Sequence, residues 1–284
     1  MVIKKQMKKT YITLLGLLIS GISFSQSLKI KLTNGQKIVV ETTTDVEASL
    51  AMGMELNSNS STTNSLEVKN STDKNYTISN TLTKLKVNMN MMGQPNNYDS
   101  EIKEGNNADM AKIFDERLNK SVDIDIDNTT GLAVTDNKKV TKKGADDSNP
   151  ADDLMKIFSD NSDNAIVSGS FEIIPKGKSI GNSWADTAIA KDMKMIRTYT
   201  LKSVIGNDAI IQLDIASSGV NKLNFQEMEF EIKTETKTKG EIFTDTVTGL
   251  VTKRTSSSDI TGSIQMMGQD MPISAKTTST NIYK

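Results

Sequence analysis

The sequence contains neither cysteine nor histidine among its 284 residues. Without cysteine the chain has no disulfide framework, no thiol nucleophile and no thiolate ligand for a metal. Without histidine it lacks the usual general base near neutral pH and the commonest metal ligand in proteins. These two absences exclude Ser-His-Asp and Cys-His catalysis and histidine-based zinc sites. We therefore expect neither a bound metal nor a cofactor.

Aromatic residues are scarce, at 5% of the chain, and the formal net charge is −1. So few aromatic side chains leave little surface on which sugar rings could stack. The mixed charges give no basic face of the kind that binds nucleic acid. Pairs of carboxylates remain the one plausible catalytic apparatus, as in glycoside hydrolysis, but no spacing in the sequence fixes two of them. We predict that the protein is not an enzyme.

The first 26 residues have the pattern of an export signal. Lysines at positions 4, 5, 8 and 9 precede an apolar run from Tyr11 to Phe24, which has the length of a signal-peptide core. A membrane anchor would need about 20 apolar residues, and this run is shorter. We predict cleavage before Gln26 or just after it. Because no cysteine is available for acylation, we expect a soluble protein of the periplasm or the exterior, with no transmembrane anchor after cleavage.

Alternation of polar and apolar residues, which is typical of half-buried β-strands, dominates the mature chain. A hairpin is predicted from Leu28 to Thr44, because the pair Asn34-Gly35 is typical of two-residue turns. The polar stretch from Asn57 to Asn64 is predicted to be a loop. Further strands are predicted from Met193 to Ile282.

A long strand is predicted from Tyr76 to Met92, and its apolar face changes sides midway. Because strand side chains alternate strictly, this change predicts a bulge near Thr83 and Lys84. A turn containing Pro95 is expected to follow. A second change of face, near Gln226, predicts another bend, and long bent strands favour a sheet that curls around a core.

Two short helices are predicted from apolar residues at helical spacing. The first runs from Asp109 to Leu118. The second contains Leu154 to Phe158, with Asn149 as its N-cap and Pro150 in its first position.

The pattern D-x-x-T-G-L occurs at two predicted hairpin turns, Asp127–Leu132 and Asp245–Leu250, and suggests two related β lobes. Between them lies a stretch that holds Pro175, Gly181 and the only tryptophan, Trp184. Proline ends ladder pairing and glycine permits unusual backbone angles. We interpret these three residues as a structural joint, in which a strand ends at Ile174 and a buried tryptophan begins the next lobe.

These elements predict a mainly β (α+β) fold. We expect a curved antiparallel sheet or half-barrel built from two β lobes, with two short helices packed against it. The signal at 1–26 precedes a single β-rich domain at 27–284. That domain divides into an N-terminal lobe (27–137), a helical and joint segment (138–184) and a C-terminal lobe (185–284).

Three aspartates alternate along one predicted strand: Asp123, Asp125 and Asp127. A calcium loop would need glycine where Asn128 stands and glutamate where Val134 stands. We therefore favour a solvated acidic face over a metal site.

Methionine is abundant, with fifteen residues, and the tetrapeptide Met-Met-Gly-Gln occurs at 91–94 and again at 266–269. Thioethers in an exported protein can bind Cu(I), but histidine and cysteine co-ligands are absent. Adaptable filling of the core is favoured, and an apolar groove lined by methionine is a further alternative. The candidate ligand-lining residues are Met52, Met54, Met89, Met91, Met193 and Met195.

Three motifs together carry a family resemblance: P-x5-G-x-S-W at Pro175–Trp184, L-x-K-x-V-x-I leading into the first D-x-x-T-G-L, and the second D-x-x-T-G-L. With them the chain resembles a family of exported Bacteroidota proteins classed as a domain of unknown function. The resemblance covers most of the mature chain and implies no reaction. Members often carry a lipoprotein cysteine, which is absent here. By analogy of fold, the curved sheets look like the half-barrels of lipoprotein carriers.

We therefore expect a non-enzymatic exported binding module whose curved, methionine-rich sheet holds an apolar or lipid-like ligand or a partner segment. The alternative is a structural or interaction protein of the cell envelope.

Overall fold

The computed structural model describes residues 29–50, 53–102, 104–134, 162–190, 193–225, 228–266 and 269–284. The regular elements among these residues are antiparallel strands and two short helices, which confirms the predicted mainly β fold. The strands are β1 Lys37–Ser49, β2 Glu55–Ser71, β3 Asn75–Met91, β4 Gln94–Asp99, β5 Ser121–Asp127, β6 Ser183–Ala190, β7 Met193–Ile205, β8 Asp208–Phe225, β9 Met228–Asp245, β10 Val251–Met266 and β11 Gln269–Tyr283. The helices are α1 Ala108–Asp115 and α2 Asp163–Gly169. The predicted export signal lies outside the described residues.

All these strands belong to one sheet, in the order β4-β3-β2-β1-β11-β10-β9-β8-β7-β6. Strands β1 and β11, from opposite ends of the described chain, pair in the middle, so both predicted lobes share this sheet. Strand β3 pairs with β5 along its residues 75–81 and with β4 along its residues 86–91. The sheet is therefore open, with β4 and β5 along one edge and β6 along the other. Of the predicted lobe boundaries, 137/138 lies outside the described residues and 184/185 falls within β6.

The sheet is curved, because side chains from strands near its opposite edges meet in one core. Ile126 of β5 and Tyr199 of β7 belong to the same buried cluster. Two glycines permit close approach between neighbouring strands. A Cβ at Gly240 would lie 2.2 Å from the carbonyl oxygen of Thr255, and one at Gly262 would lie 2.0 Å from that of Lys233. A side chain at either position would meet backbone, so these glycines support the curvature.

Buried apolar residues form two clusters, one toward each end of the strands. We call the end that carries the turn Asn34-Gly35 the joint end. The opposite end, where Met54 and Met91 lie, we call the methionine end. Between the two clusters the inner face carries small buried polar residues: Thr42, Thr44, Ser58, Ser60, Asn64 and Thr277.

The predicted loop from Asn57 to Asn64 is wrong, because these residues lie within β2. Their inward positions include Ser58, Ser60 and Asn64, which are buried between the apolar clusters. A strand whose inner face carries serine and asparagine shows no apolar alternation, so its sequence looks like a loop.

The predicted bulge in β3 is confirmed. Pairing with β2 passes from Thr63–Lys84 to Asn64–Leu82, which leaves Thr83 without an opposite residue. The second predicted bend, near Gln226, lies outside the described residues; β8 ends at Phe225 and its antiparallel partner β9 begins at Met228.

The predicted turn around Pro95 is also wrong. The turn consists of Met92 and Gly93, both with positive φ (55° and 78°), and Pro95 lies in β4. Proline cannot donate to a ladder, and β4 accepts it because it is an edge strand.

Helix α1 confirms the first predicted helix. Asn107 caps it by accepting bonds from the backbone N–H groups of Asp109 and Met110, and Phe114 packs on Tyr98 with ring centroids 5.1 Å apart. The second predicted helix, at 149–158, lies outside the described residues. Neither α1 nor α2 has the length and apolar content to cross a membrane, and the described part of the chain has no other helix.

The two D-x-x-T-G-L turns have the same structure. In each, the aspartate carboxylate accepts bonds from the N–H groups two and three residues later. The glycine N–H donates to the aspartate carbonyl, at 2.9 Å in the first turn and 2.8 Å in the second. Gly131 and Gly249 have φ of 72° and 75°, which produces a bulge after each turn. The repeated motif therefore marks a repeated hairpin.

The predicted hairpin at Leu28–Thr44 is only partly correct. Asn34 and Gly35 form a turn, but the residues before it are not a strand, because β1 already pairs with β2 and β11. Instead, the N–H of Ile30 donates to the carbonyl of Asn128, and that of Lys31 donates to the carbonyl of Thr248. This segment therefore joins the two repeated turns.

Candidate functional site

The residues before β6 form a tight turn at the joint end. The N–H of Asn182 donates to the carbonyl of Ser179 at 2.9 Å, and Gly181, with φ of 88°, takes the position that requires a positive φ in a type II turn. The Gly181 N–H donates to the Leu201 carbonyl at 2.8 Å, and the Leu201 N–H returns a bond to the Asn182 carbonyl at 3.1 Å. Gly181 therefore begins a bulge that aligns β6 on β7.

Pro175 precedes this turn and begins another, in which the Lys178 N–H donates to the Pro175 carbonyl at 3.3 Å. The predicted strand ending at Ile174 is wrong. Phe171 makes a single bridge to Leu250, and the following residues are irregular although Ile174 is buried.

Trp184 lies at the start of β6 and is partly buried, so the prediction of a buried tryptophan is only partly correct. Its ring stacks on that of Tyr199, with centroids 5.5 Å apart and an interplanar angle of 7°. Tyr199 is buried in the joint-end cluster, so the stack continues that cluster to the sheet edge.

A group of charged residues lies beside this stack. The carboxylate of Asp186 accepts a bond from Arg197 Nε at 2.7 Å, and Glu172 Oε2 lies 3.3 Å from Arg254 Nη2. The hydroxyl of Tyr199 lies 3.4 Å from Asp186 Oδ2. We call these five residues the charge cluster.

Burial and neighbouring charges shift the pKa values of two groups in the charge cluster. Burial raises the pKa of Glu172 to about 7, although Arg254 and Arg197 oppose the shift. Burial also raises the pKa of the Tyr199 hydroxyl well above its ordinary value. Arg254 Nε is buried and has no hydrogen-bond partner among the described residues. A carboxyl with a pKa near neutrality, beside partly buried arginines, is expected to make the stability of the joint end depend on pH.

Sequence reasoning missed this cluster. Glu172, Arg197 and Arg254 are separated along the chain, and each falls in a stretch that reads as an ordinary β segment. The cluster brings Glu172 and Asp186 together, the convergence of two acids that a hydrolase would need. However, an arginine engages each carboxylate, and the side chain of Glu172 is 13% exposed.

Five of the six candidate methionines are described, and they fall at the methionine end in two groups. Met89 is buried, and Met54 and Met91 pack against the same cluster. Met193 is exposed at the start of β7, where Met195 is partly buried. Met52 lies outside the described residues. The first group fills the core, and the second lies near the free edge of the sheet.

A surface depression of about 630 Å³ extends across β6 to β10 at the methionine end. Most of its lining residues alternate with the buried positions of these strands, so it lies on the outer face of the sheet. Ile189, Met193 and Val220 line it with exposed fractions of 78%, 44% and 37%. Lys194 and Lys233 also line it. Of the six candidate methionines, Met193 is the one among these lining residues.

The model of a family described as "Family of unknown function (DUF6263)" matches residues 73–251, more than half of the chain. The chain belongs to this family. The DUF6263 region contains both repeated turns, α1 and the joint, together with Glu172, Asp186 and Arg197. Arg254 follows shortly after it. A search of curated proteins gives no match.

Among solved structures, the chain is similar to an outer membrane channel from Pseudomonas putida F1, with 8% identity and a TM-score of 0.22. That match covers 90% of this chain and 98% of the channel. It is also similar to OccK5 (OpdH) from Pseudomonas aeruginosa, with 6% identity, a TM-score of 0.24, and coverage of 88% and 98%. Scores this low support no argument about function.

Proposed function

We propose that this DUF6263 protein is a non-enzymatic exported binding module for an apolar or lipid-like ligand, with its site in the outer depression at the methionine end. The supporting observation is the grouping of exposed Ile189, Met193 and Val220 around one depression. Exposed apolar side chains that surround one concavity are typical of ligand or partner sites. Lys194 in the same lining suits a ligand with an acidic head group, whereas Lys233 is already paired with Glu231 at 3.4 Å.

The test is displacement of a fluorescent fatty acid from the purified mature protein. Ile189→Glu places a charge in the depression and is expected to weaken binding at least tenfold, which corresponds to about 1.4 kcal/mol. Ile205→Glu is the matched control, because Ile205 is 76% exposed at the opposite, joint end of β7. Equal effects of the two variants, or absence of binding by the wild type, would exclude this site.

Export is part of the proposal and rests on the charged and apolar pattern of the first 26 residues. We expect the mature protein, isolated from its own periplasm or medium, to begin at or just after Gln26. N-terminal sequencing measures this directly. A retained first segment would contradict export by this route.

The second candidate function is an interaction protein of the cell envelope. The observation that favours it is the edge strand β6, whose outer side has no partner among the described strands. Native mass spectrometry of protein purified from its own compartment separates the candidates. A bound small molecule supports the first, and a complex with a different protein of the envelope supports the second.

A further inference from the structure

Along β6, one edge of the sheet presents a regular row of backbone groups that no other described strand pairs. The bonds between Leu201 and the Gly181-Asn182 bulge fix the alternation along β6. Because antiparallel bonds alternate, even-numbered residues of β6 bond to β7 and odd-numbered residues point their N–H and C=O groups away. The outward residues are Ser183, Ala185, Thr187 and Ile189. Lys178 Nζ, which donates to the Ser183 carbonyl at 2.8 Å, agrees with this assignment.

The two edges of the sheet differ in their protection. Proteins guard free edges with proline, charge or short strands. Strand β4 is six residues long and contains Pro95, and β5 carries exposed Asp123 and Asp125. Strand β6 has neither device: its one charged residue, Asp186, is bonded to Arg197. An unguarded edge of eight residues is suited to pairing with another strand.

We propose that β6 pairs antiparallel with β6 of a second copy of this chain, about a twofold axis at Thr187. In such a pair, residues on the same face of the sheet must lie opposite each other, so the axis passes through one residue. An axis at Asp186 would place two carboxylates opposite each other, which is unfavourable. An axis at Thr187 places threonine against threonine and Ala185 against Ile189.

With the axis at Thr187, the outward N–H and C=O groups of β6 would bond between the two copies. Thr187 would face its own copy in a hydrogen-bonded pair, and Ala185 and Ile189 would form two further pairs of the same kind. Asp186 would lie opposite the methyl group of Ala188. The strand therefore complements itself in backbone bonding and places no like charges directly opposite each other, which favours a second copy.

The absence of cysteine from the natural chain gives a clean test, because Thr187→Cys introduces the only thiol. Residues in a hydrogen-bonded antiparallel pair have Cα atoms about 5.5 Å apart, within the range of a disulfide. Mild oxidation of the mature variant is expected to produce a covalent dimer in high yield. Ala185→Cys is the matched control, because its two copies would lie roughly 13 Å apart along the strands. A dimer from Asp186→Cys but not from Thr187→Cys would overturn the register.

Sedimentation velocity tests the association without a crosslink. The wild type is expected to sediment with twice the mass of one chain, and Thr187→Pro is expected to halve that mass. Proline is tolerated because the Thr187 N–H bonds no residue of its own sheet, so the melting temperature of Thr187→Pro monitors folding. Thr187→Lys, which places two like charges on the axis, is a second variant with the same expected result. A monomeric wild type, or variants that remain dimeric, would overturn the proposal.

Discussion

At the scale of single residues, Glu172 is expected to make stability depend on pH. Its pKa is raised from 4.5 to about 7, chiefly by burial. Between these values the folded state holds a proton that the unfolded state has lost, so the free energy of unfolding falls as pH rises from 4.5 to 7. The loss is on the order of 3 kcal/mol. Glu172→Gln is expected to flatten this slope in urea unfolding measured at a series of pH values.

Arg254→Met provides the companion measurement. The charge of Arg254 lowers the pKa of Glu172, so its removal is expected to extend the falling slope above pH 7. If Glu172→Gln keeps the wild-type slope, Glu172 is not the group responsible, and the account of the charge cluster is wrong.

For Trp184, the structure lowers the loss of stability that is expected on replacement by alanine. A fully buried tryptophan would lose about 3–5 kcal/mol on replacement by alanine, and partial exposure places Trp184→Ala near the lower limit. Trp184→Phe retains a ring over Tyr199 and is expected to lose about 1 kcal/mol. Circular dichroism in urea measures both variants, which lack the only tryptophan. An unchanged urea midpoint for Trp184→Ala would contradict a packing role for Trp184 and favour a role in ligand contact.

At the scale of elements, the two repeated turns are expected to respond alike. Asp127→Ala and Asp245→Ala each remove a carboxylate that holds two backbone N–H groups, so each is expected to cost about 1 kcal/mol. Thermal unfolding measures both, with exposed Asp123→Ala in β5 as the control. A large loss in one turn and none in the other would contradict their structural equivalence.

The same turns have a consequence in acid. A hydrogen bond from the Thr129 hydroxyl lowers the pKa of Asp127, and bonds from Thr248 lower that of Asp245 although partial burial opposes them. A lowered carboxyl pKa contributes stability above the ordinary value of 3.8 that is lost as pH falls through the folded value. We therefore expect the free energy of unfolding to decrease also as pH falls below 3.8, in a pH range separate from that of Glu172.

Elements were predictable from the sequence where a local pattern determines the structure. The D-x-x-T-G-L turns, the bulge at Thr83 and helix α1 depend on turn chemistry, alternation or capping within a few residues. Strand β2 escaped prediction, because the residues that bury its serines come from distant strands. The segment at Ile30 was wrongly predicted to be a strand beside β1, because no local pattern shows that β1 is already paired on both sides by β2 and β11.

The candidate site was less predictable for the same reason. Proline, glycine and tryptophan marked the joint, because their backbone and packing constraints are local. The charge cluster combines Glu172, Asp186, Arg197, Tyr199 and Arg254 from four segments, which only the folded sheet brings together. The methionine pairs were predicted to line one groove, but whether each side chain lies in the core or on the surface depends on the curvature of the sheet.

At the scale of the whole molecule, the curvature of the sheet is expected to depend on inward-facing glycines in β9 and β10. In Gly240→Val the new side chain would begin 2.2 Å from the Thr255 carbonyl, so the strands must separate or the sheet must flatten. We expect a loss of about 3 kcal/mol, at the upper end of typical overpacking costs, and an increased radius of gyration in X-ray scattering. Thr236→Val is the control, because it places a β-branched apolar residue on the same face of β9 and is expected to change stability by less than about 0.5 kcal/mol. If Gly240→Val matches this control, the two lobes do not depend on close strand approach at Gly240, and the curvature must come from the bulges instead.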